Sequence, residues 1–153
     1  MLQNKASLSW LANPEVFAVG REPAHSDHFY FASEKEMEEW KDLGTNCSTS
    51  FRQSLDGSWK FSYAENPSMR IVDFYREDYD CSEFDSITVP GHIQLQGYDR
   101  CQYINTMYPW DGQEFLRPPV VSETYNPVGS YVRFFDVDEA LQEKKLYLSF
   151  QGV

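Results

Sequence analysis

Close cysteine pairs, an excess of basic residues and any long apolar run are all missing from this chain. Its three cysteines, Cys47, Cys81 and Cys101, are odd in number, widely spaced and outside any Cys-x-x-Cys pattern. Neither a disulfide framework nor a zinc site is therefore encoded locally, and free thiols in a reducing cytoplasm fit best. Only 13 Lys and Arg stand against 24 Asp and Glu, a formal net charge of −11, which argues against nucleic acid and anionic membrane as partners. No apolar run approaches the roughly 20 residues that cross a bilayer, and no basic stretch followed by an apolar core opens the chain. Nothing marks it for export, and the expected location is cytoplasmic. Gly-x-Ser-x-Gly, a phosphate-cradling glycine loop and internal repeats are absent too, so an esterase-type nucleophile elbow and a nucleotide site lack support.

What the chain does have is aromatic mass. Four Trp, ten Tyr and eleven Phe make 16% of its 153 residues, within 41% hydrophobic residues overall, enough for one sizeable core and biased towards β structure. Residues 1–50 read as an irregular arm interrupted by Asn13-Pro14, Pro23 and Gly44. Its one helical candidate is Ser33 to Leu43, with Ser33 as cap, Glu36 completing a capping box, and Met37 and Trp40 on one face.

The pattern changes at Phe51. After the turn signal Ser54-Leu55-Asp56-Gly57-Ser58, Trp59, Phe61 and Tyr63 alternate with Lys60 and Ser62 as in a strand with one buried face. Phe74 to Phe84 reads as a surface excursion, Ile87 and Val89 as an extended segment, and Pro90-Gly91 as a turn. Gly97 to Pro119 carries too many breakers for a regular element and reads as a long loop anchored by Tyr103, Ile104, Tyr108, Trp110 and Phe115. Asn126-Pro127 and Gly129 mark another turn. Apolar residues on both sides of Tyr131 to Val137 predict a central strand, and Leu146, Leu148 and Phe150 predict a further one near the end of the chain. The fold class is all-β, a sandwich or jelly roll over residues 51–153, incomplete at its C-terminal end and preceded by the arm.

Candidate chemistry is sparse. His25, Asp27 and His28 lack the helical spacing of zinc ligands and bring no fourth ligand, so no metal site is assigned to them. Glu38-Glu39, Glu77-Asp78 and Asp136 with Asp138 offer carboxylates, but a retaining glycosidase needs two about 5 to 5.5 Å apart, and proximity in sequence does not supply that geometry. No catalytic residue is assigned in this chain. Tyr103, Asn105, Tyr108 and Trp110 combine ring faces with an amide that both donates and accepts, as sugar recognition requires. Core packing of the same rings is the alternative, and the residues leave both open.

Four stretches resemble the large bacterial β-galactosidases of glycoside hydrolase family 2, in that family's order and spacing. They are Ser54-Leu55-Asp56-Gly57-Ser58-Trp59-Lys60-Phe61, Val89-Pro90-Gly91-His92-Ile93-Gln94-Leu95-Gln96-Gly97-Tyr98-Asp99, Tyr103-Ile104-Asn105-Thr106-Met107-Tyr108-Pro109 and Asn126-Pro127-Val128-Gly129-Ser130-Tyr131. Asn13-Pro14 and Pro23-Ala24-His25 look like the family's N-terminal arm. The resemblance implies a retaining enzyme acting on terminal β-D-galactose of β-galactosides such as lactose. It also implies that both catalytic glutamates lie in a barrel outside this chain, so that this segment alone is inactive. Asn105 matches the asparagine that hydrogen-bonds the sugar. Magnesium and sodium are implied for the full-length enzyme, with none bound by this chain, since Leu8 stands where some members place a magnesium-holding aspartate; Ile93 departs from the usual Trp. The implied partners are the β-galactoside, the remaining domains and further copies in a homo-oligomer. A freestanding carbohydrate-binding module, or an assembly segment at a subunit interface, is the alternative.

Overall fold

The computed structural model describes residues 7–26, 28–43, 48–101 and 110–151. They gather into two compact units, Met1–Ala24 with Ser58–Arg133, and His25–Gly57 with Phe134–Val153.

The first unit is built on a three-stranded sheet in the order β2-β1-β3, where β1 is Gly57–Ala64, β2 is Asp85–Val89 and β3 is Val128–Val132. The alternation around Phe61 yields β1 as expected, and the architecture is all-β with an incomplete sandwich among the described residues. Strand β1 lies in the middle and is covered on both faces: Phe61 is 0% exposed on one and Ala64 is buried on the other. It pairs antiparallel with β3, setting Phe61 opposite Tyr131 and Tyr63 opposite Gly129. The Phe61 ring meets Tyr98 edge-on at 4.6 Å between centroids and Tyr131 at 4.8 Å, and Ile87 of β2, Phe84 and Cys81 are buried nearby in sequence. This aromatic cluster is the core.

Three expectations need correcting here. Gly129 is not in a turn but inside β3, where a Cβ would come within 2.7 Å of Phe61 Cε2 and 2.9 Å of Tyr131 Cε2. The missing side chain leaves room for the Phe61 ring, a long-range demand that a local turn signal imitates. The expected central strand over Tyr131 to Val137 ends at Val132 and is an edge of the described sheet, with Phe134 and Phe135 exposed. Phe115, read as a loop anchor, is fully exposed.

In the second unit, helix α1 spans Glu34–Leu43. Its start forms half of the expected capping box: the Glu36 amide donates to Ser33 Oγ at 3.1 Å, but the Glu36 carboxylate accepts from the amides of Ala32 at 2.6 Å and Ser50 at 2.5 Å in place of the Ser33 amide. Trp40 packs its ring against Phe29 and Phe31, at 5.1 and 5.4 Å. Gln53 uses its whole amide on a neighbouring segment, donating to the Asp136 carbonyl and accepting from the Asp138 amide. The last expected strand, Leu146 to Phe150, belongs to no described ladder, and Leu146, Tyr147, Leu148 and Phe150 are exposed. Alternation makes a segment suitable for a sheet; only a neighbouring backbone makes it a strand.

Candidate functional site

Asn105, the proposed sugar-contacting residue, lies in segment 102–109, outside the described residues, together with Tyr103, Ile104 and Tyr108. The residues on either side of that segment are described, and they are tied together. On the upstream side, β2 is closed by a side chain: Gln96 accepts from the Thr88 amide at 2.7 Å and donates to the Thr88 carbonyl at 3.0 Å, standing in for a neighbouring strand. Gln96 ends a short 3₁₀ helix, Ile93–Gln96, whose following residue Gly97 takes a left-handed conformation at φ 95°. Tyr98 then turns into the core and donates to Asp85 Oδ2 at 2.9 Å. Asp99 is also left-handed, at φ 55°, an uncommon state for a residue with a Cβ. Its carboxylate accepts from Gln94 Nε2 at 3.1 Å and from the Tyr125 hydroxyl.

On the downstream side, Trp110 is buried, and its carbonyl accepts from the amides of Gln113 and Glu114, both at 3.0 Å. The Ser122 side chain is 1% exposed. Its hydroxyl donates to Glu114 and accepts from the amides of Thr124 at 3.2 Å and Tyr125 at 2.9 Å. A continuous path of bonds therefore runs from Trp110 through Glu114, Ser122 and Tyr125 to Asp99. Arg100 lies over the Tyr125 ring, 4.6 Å from its centroid.

The electrostatics follow from these contacts. Burial alone raises the Asp99 carboxyl pKa, but the hydrogen bonds from Tyr125, the Arg100 backbone and Gln94, with the Arg100 charge, outweigh it and hold the carboxyl below its ordinary value. Burial, then the bond to Asp99 and its charge, push the Tyr125 hydroxyl up. Asp99 as acceptor and Tyr125 as donor are thus the preferred charge states over the neutral range.

Trp110 also lines a cleft of about 700 Å³ with Trp10, Leu11, Phe17, Pro118 and Pro119. Among the four residues proposed for sugar contact it is the one described, and its burial makes it a packing anchor. Asn13 borders the cleft, and its Oδ1 accepts from the Glu15 amide. Leu8, the first residue of a short 3₁₀ helix, has a hydrocarbon side chain that offers no oxygen to a metal. No group of three or more His, Cys, Asp or Glu side chains that could hold a metal occurs among the described residues. The carboxylate pairs are solvated: Glu38 bonds Lys41, Glu39 bonds Lys35, and Asp78 bonds Arg76, all exposed.

Residues 52–153 match the family model described as glycosyl hydrolases family 2, sugar binding domain. The chain belongs to glycosyl hydrolase family 2. It is 54% identical over 153 residues to a β-galactosidase of Clostridium acetobutylicum, covering 100% of this chain and 16% of the relative. It is 49% identical over 152 residues to a β-galactosidase of Halalkalibacterium halodurans, covering 99% of this chain and 14% of that one. A β-galactosidase large subunit of Leuconostoc lactis is 42% identical over 161 residues, covering 97% of this chain and 24% of its own length. This family 2 segment therefore spans a quarter or less of each of these relatives.

The sequence motifs included Tyr98 and Asp99 but gave them no role, and they passed over Glu114, Ser122 and Tyr125. Asp99 and Tyr125 are 26 positions apart, and no local pattern signals such a bond.

Proposed function

We propose that this chain is the sugar-binding segment of a β-galactosidase that removes terminal β-D-galactose with retention. The observation that carries this reading is the similarity to β-galactosidases along the full 153 residues, at 54% identity in one case. The acid and nucleophile of the retaining reaction belong to the rest of the parent enzyme, and this segment supplies binding. Asn105 offers the sugar an amide donor and acceptor. Magnesium and sodium are assigned to the full-length enzyme and none to this chain. A homo-oligomeric parent in the cytoplasm completes the proposal; the large-subunit name of some relatives accords with an enzyme of more than one chain.

Two measurements test it. The isolated chain, mixed with a chromogenic β-galactoside, gives no turnover; activity that tracks the purified chain refutes the assignment of catalysis elsewhere. In the full-length parent, Asn105→Ala lowers kcat/KM by about tenfold to a hundredfold, the contribution of one well-placed polar contact, with little change in melting temperature. Unchanged kinetics in a mutant that melts earlier would show that Asn105 serves only its own backbone.

A further inference from the structure

In the second unit, Leu146, Leu148 and Phe150 alternate with Tyr147, Ser149 and Gln151, the period of two that suits a sheet. The contacts between flanking side chains keep that period. Lys145 lies over the Tyr147 ring, 4.8 Å from its centroid, and Gln151 Nε2 donates to Ser149 Oγ at 2.8 Å. Both pairs are two residues apart, so the odd-numbered side chains share one face and the three apolar ones share the other. No positive φ interrupts residues 144–151. Yet residues 146–150 make no backbone hydrogen bond with any described residue, and Leu146, Tyr147, Leu148 and Phe150 are all exposed, Leu148 at 67%. A segment with this pattern and with open amides and carbonyls is a template for a further strand.

We propose that Leu146 to Phe150 is an interaction surface for a second copy of this chain, the two copies pairing antiparallel about a two-fold axis at Leu148. The segment is its own complement. This axis sets Leu148 opposite Leu148, Leu146 opposite Phe150 and Tyr147 opposite Ser149. Opposed residues in an antiparallel pair share a face, so the three apolar residues of one copy meet those of the other. A slip of one residue mixes that face with Tyr147 and Ser149, and a slip of two sets Lys144 against Phe150. Charge favours the same register: Leu146 to Gln151 carries no acid or base in a chain of net charge −11, and Lys145 falls opposite Gln151 and not opposite another lysine. A contact of this symmetry closes as a dimer. Two strands alone make a weak contact, so the dimer exchanges with monomer, and salt tightens it by screening the like net charges of the two copies. The proposal stands apart from the galactoside reading, and neither depends on the other.

The test uses the 153-residue chain. Sedimentation velocity over a concentration series shows a monomer–dimer equilibrium that shifts towards dimer as salt is raised. Leu148→Lys sets two ammonium groups against each other at the axis and weakens the dimer by about tenfold, while the exposed position leaves the unfolding midpoint of dilute protein unchanged. Disulfide trapping with oxidised glutathione then fixes the register, in a chain carrying Cys47→Ser and Cys101→Ser. Leu148→Cys gives a covalent dimer. Leu146→Cys does not link to its own copy, because the two positions lie four residues apart along the pair, about 14 Å, beyond the reach of a disulfide; it links when mixed with Phe150→Cys. A monomer at every concentration, a dimer unaltered by Leu148→Lys, or equal trapping by Leu146→Cys and Leu148→Cys overturns the proposal. Open-ended growth into larger species overturns it too, since a two-fold contact closes. If Leu148→Lys does not fold, the trapping pattern decides.

Discussion

Replacing Gly129 with Ala isolates the packing of the central aromatic cluster. Gly129 does not have a positive φ, so alanine accepts its backbone conformation and the perturbation is confined to one added methyl group. That Cβ would lie 2.7 Å from Phe61 Cε2 and 3.2 Å from Cζ, and 2.9 Å from Tyr131 Cε2. Carbon atoms pack best at about 3.5 to 4.0 Å, so the Phe61 edge must retreat by roughly 0.8 Å or more. It has little room, since the ring is 0% exposed with the Tyr98 ring 4.6 Å and the Tyr131 ring 4.8 Å away between centroids. Overpacking of this kind costs about 1 to 3 kcal/mol, against a gain of about 0.4 to 1 kcal/mol from the smaller entropy of the unfolded alanine chain. The net expectation is a destabilisation of about 1.3 kcal/mol at the middle of those ranges and at most about 2.6 kcal/mol. Urea unfolding of the 153-residue chain, followed by tryptophan fluorescence, measures it as a lower midpoint at unchanged slope. Phe61→Leu withdraws the ring edge, so the alanine becomes harmless or mildly stabilising in that background. A neutral Gly129→Ala in the wild-type chain, or equal costs in both backgrounds, refutes the close-approach explanation.

Two further outcomes are expected. Gln96→Met keeps the length of the side chain but leaves the Thr88 amide and carbonyl without the partner they have now, lowering stability by about 0.5 to 1.5 kcal/mol; hydrogen exchange should quicken first at the Thr88 amide, and uniform exchange across β2 would contradict the strand-closing role. The Glu36 carboxyl is held below its ordinary value by the amides it accepts from at Ser50 and Ala32, so the unfolded chain takes up this proton at a higher pH than the folded one. Its contribution is complete above the usual glutamate pKa and is lost as pH falls through the lower folded value; Glu36→Gln should flatten that acid limb of the melting curve, and an unchanged limb would remove Glu36 from the cap.

The sequence by itself determined what is local. The helix start at Ser33 and Glu36 uses residues three apart, and its Ser33 half formed as read, while the Glu36 carboxylate went to the amides of Ala32 and Ser50. The alternation of Trp59, Phe61 and Tyr63 specified a strand because a period of two places one set of side chains on a core face, and β1 formed there. The four motifs pointed to the family that the similarity to β-galactosidases then established. Only the tertiary structure decided which strand is central. A strand takes its place in a sheet from the neighbours on either side, so β1 and not the doubly apolar segment after Gly129 became the middle one. It also decided that Gly129 belongs in a strand beneath an aromatic ring, and that Leu146 to Phe150, alternating but without a described neighbour, forms no ladder. The bonds that link Asp99 to Tyr125 and Ser122 to Glu114 were illegible for the same reason. They join side chains 26 and 8 positions apart, and such a pair carries no periodicity; it exists only once folding has set the two segments side by side.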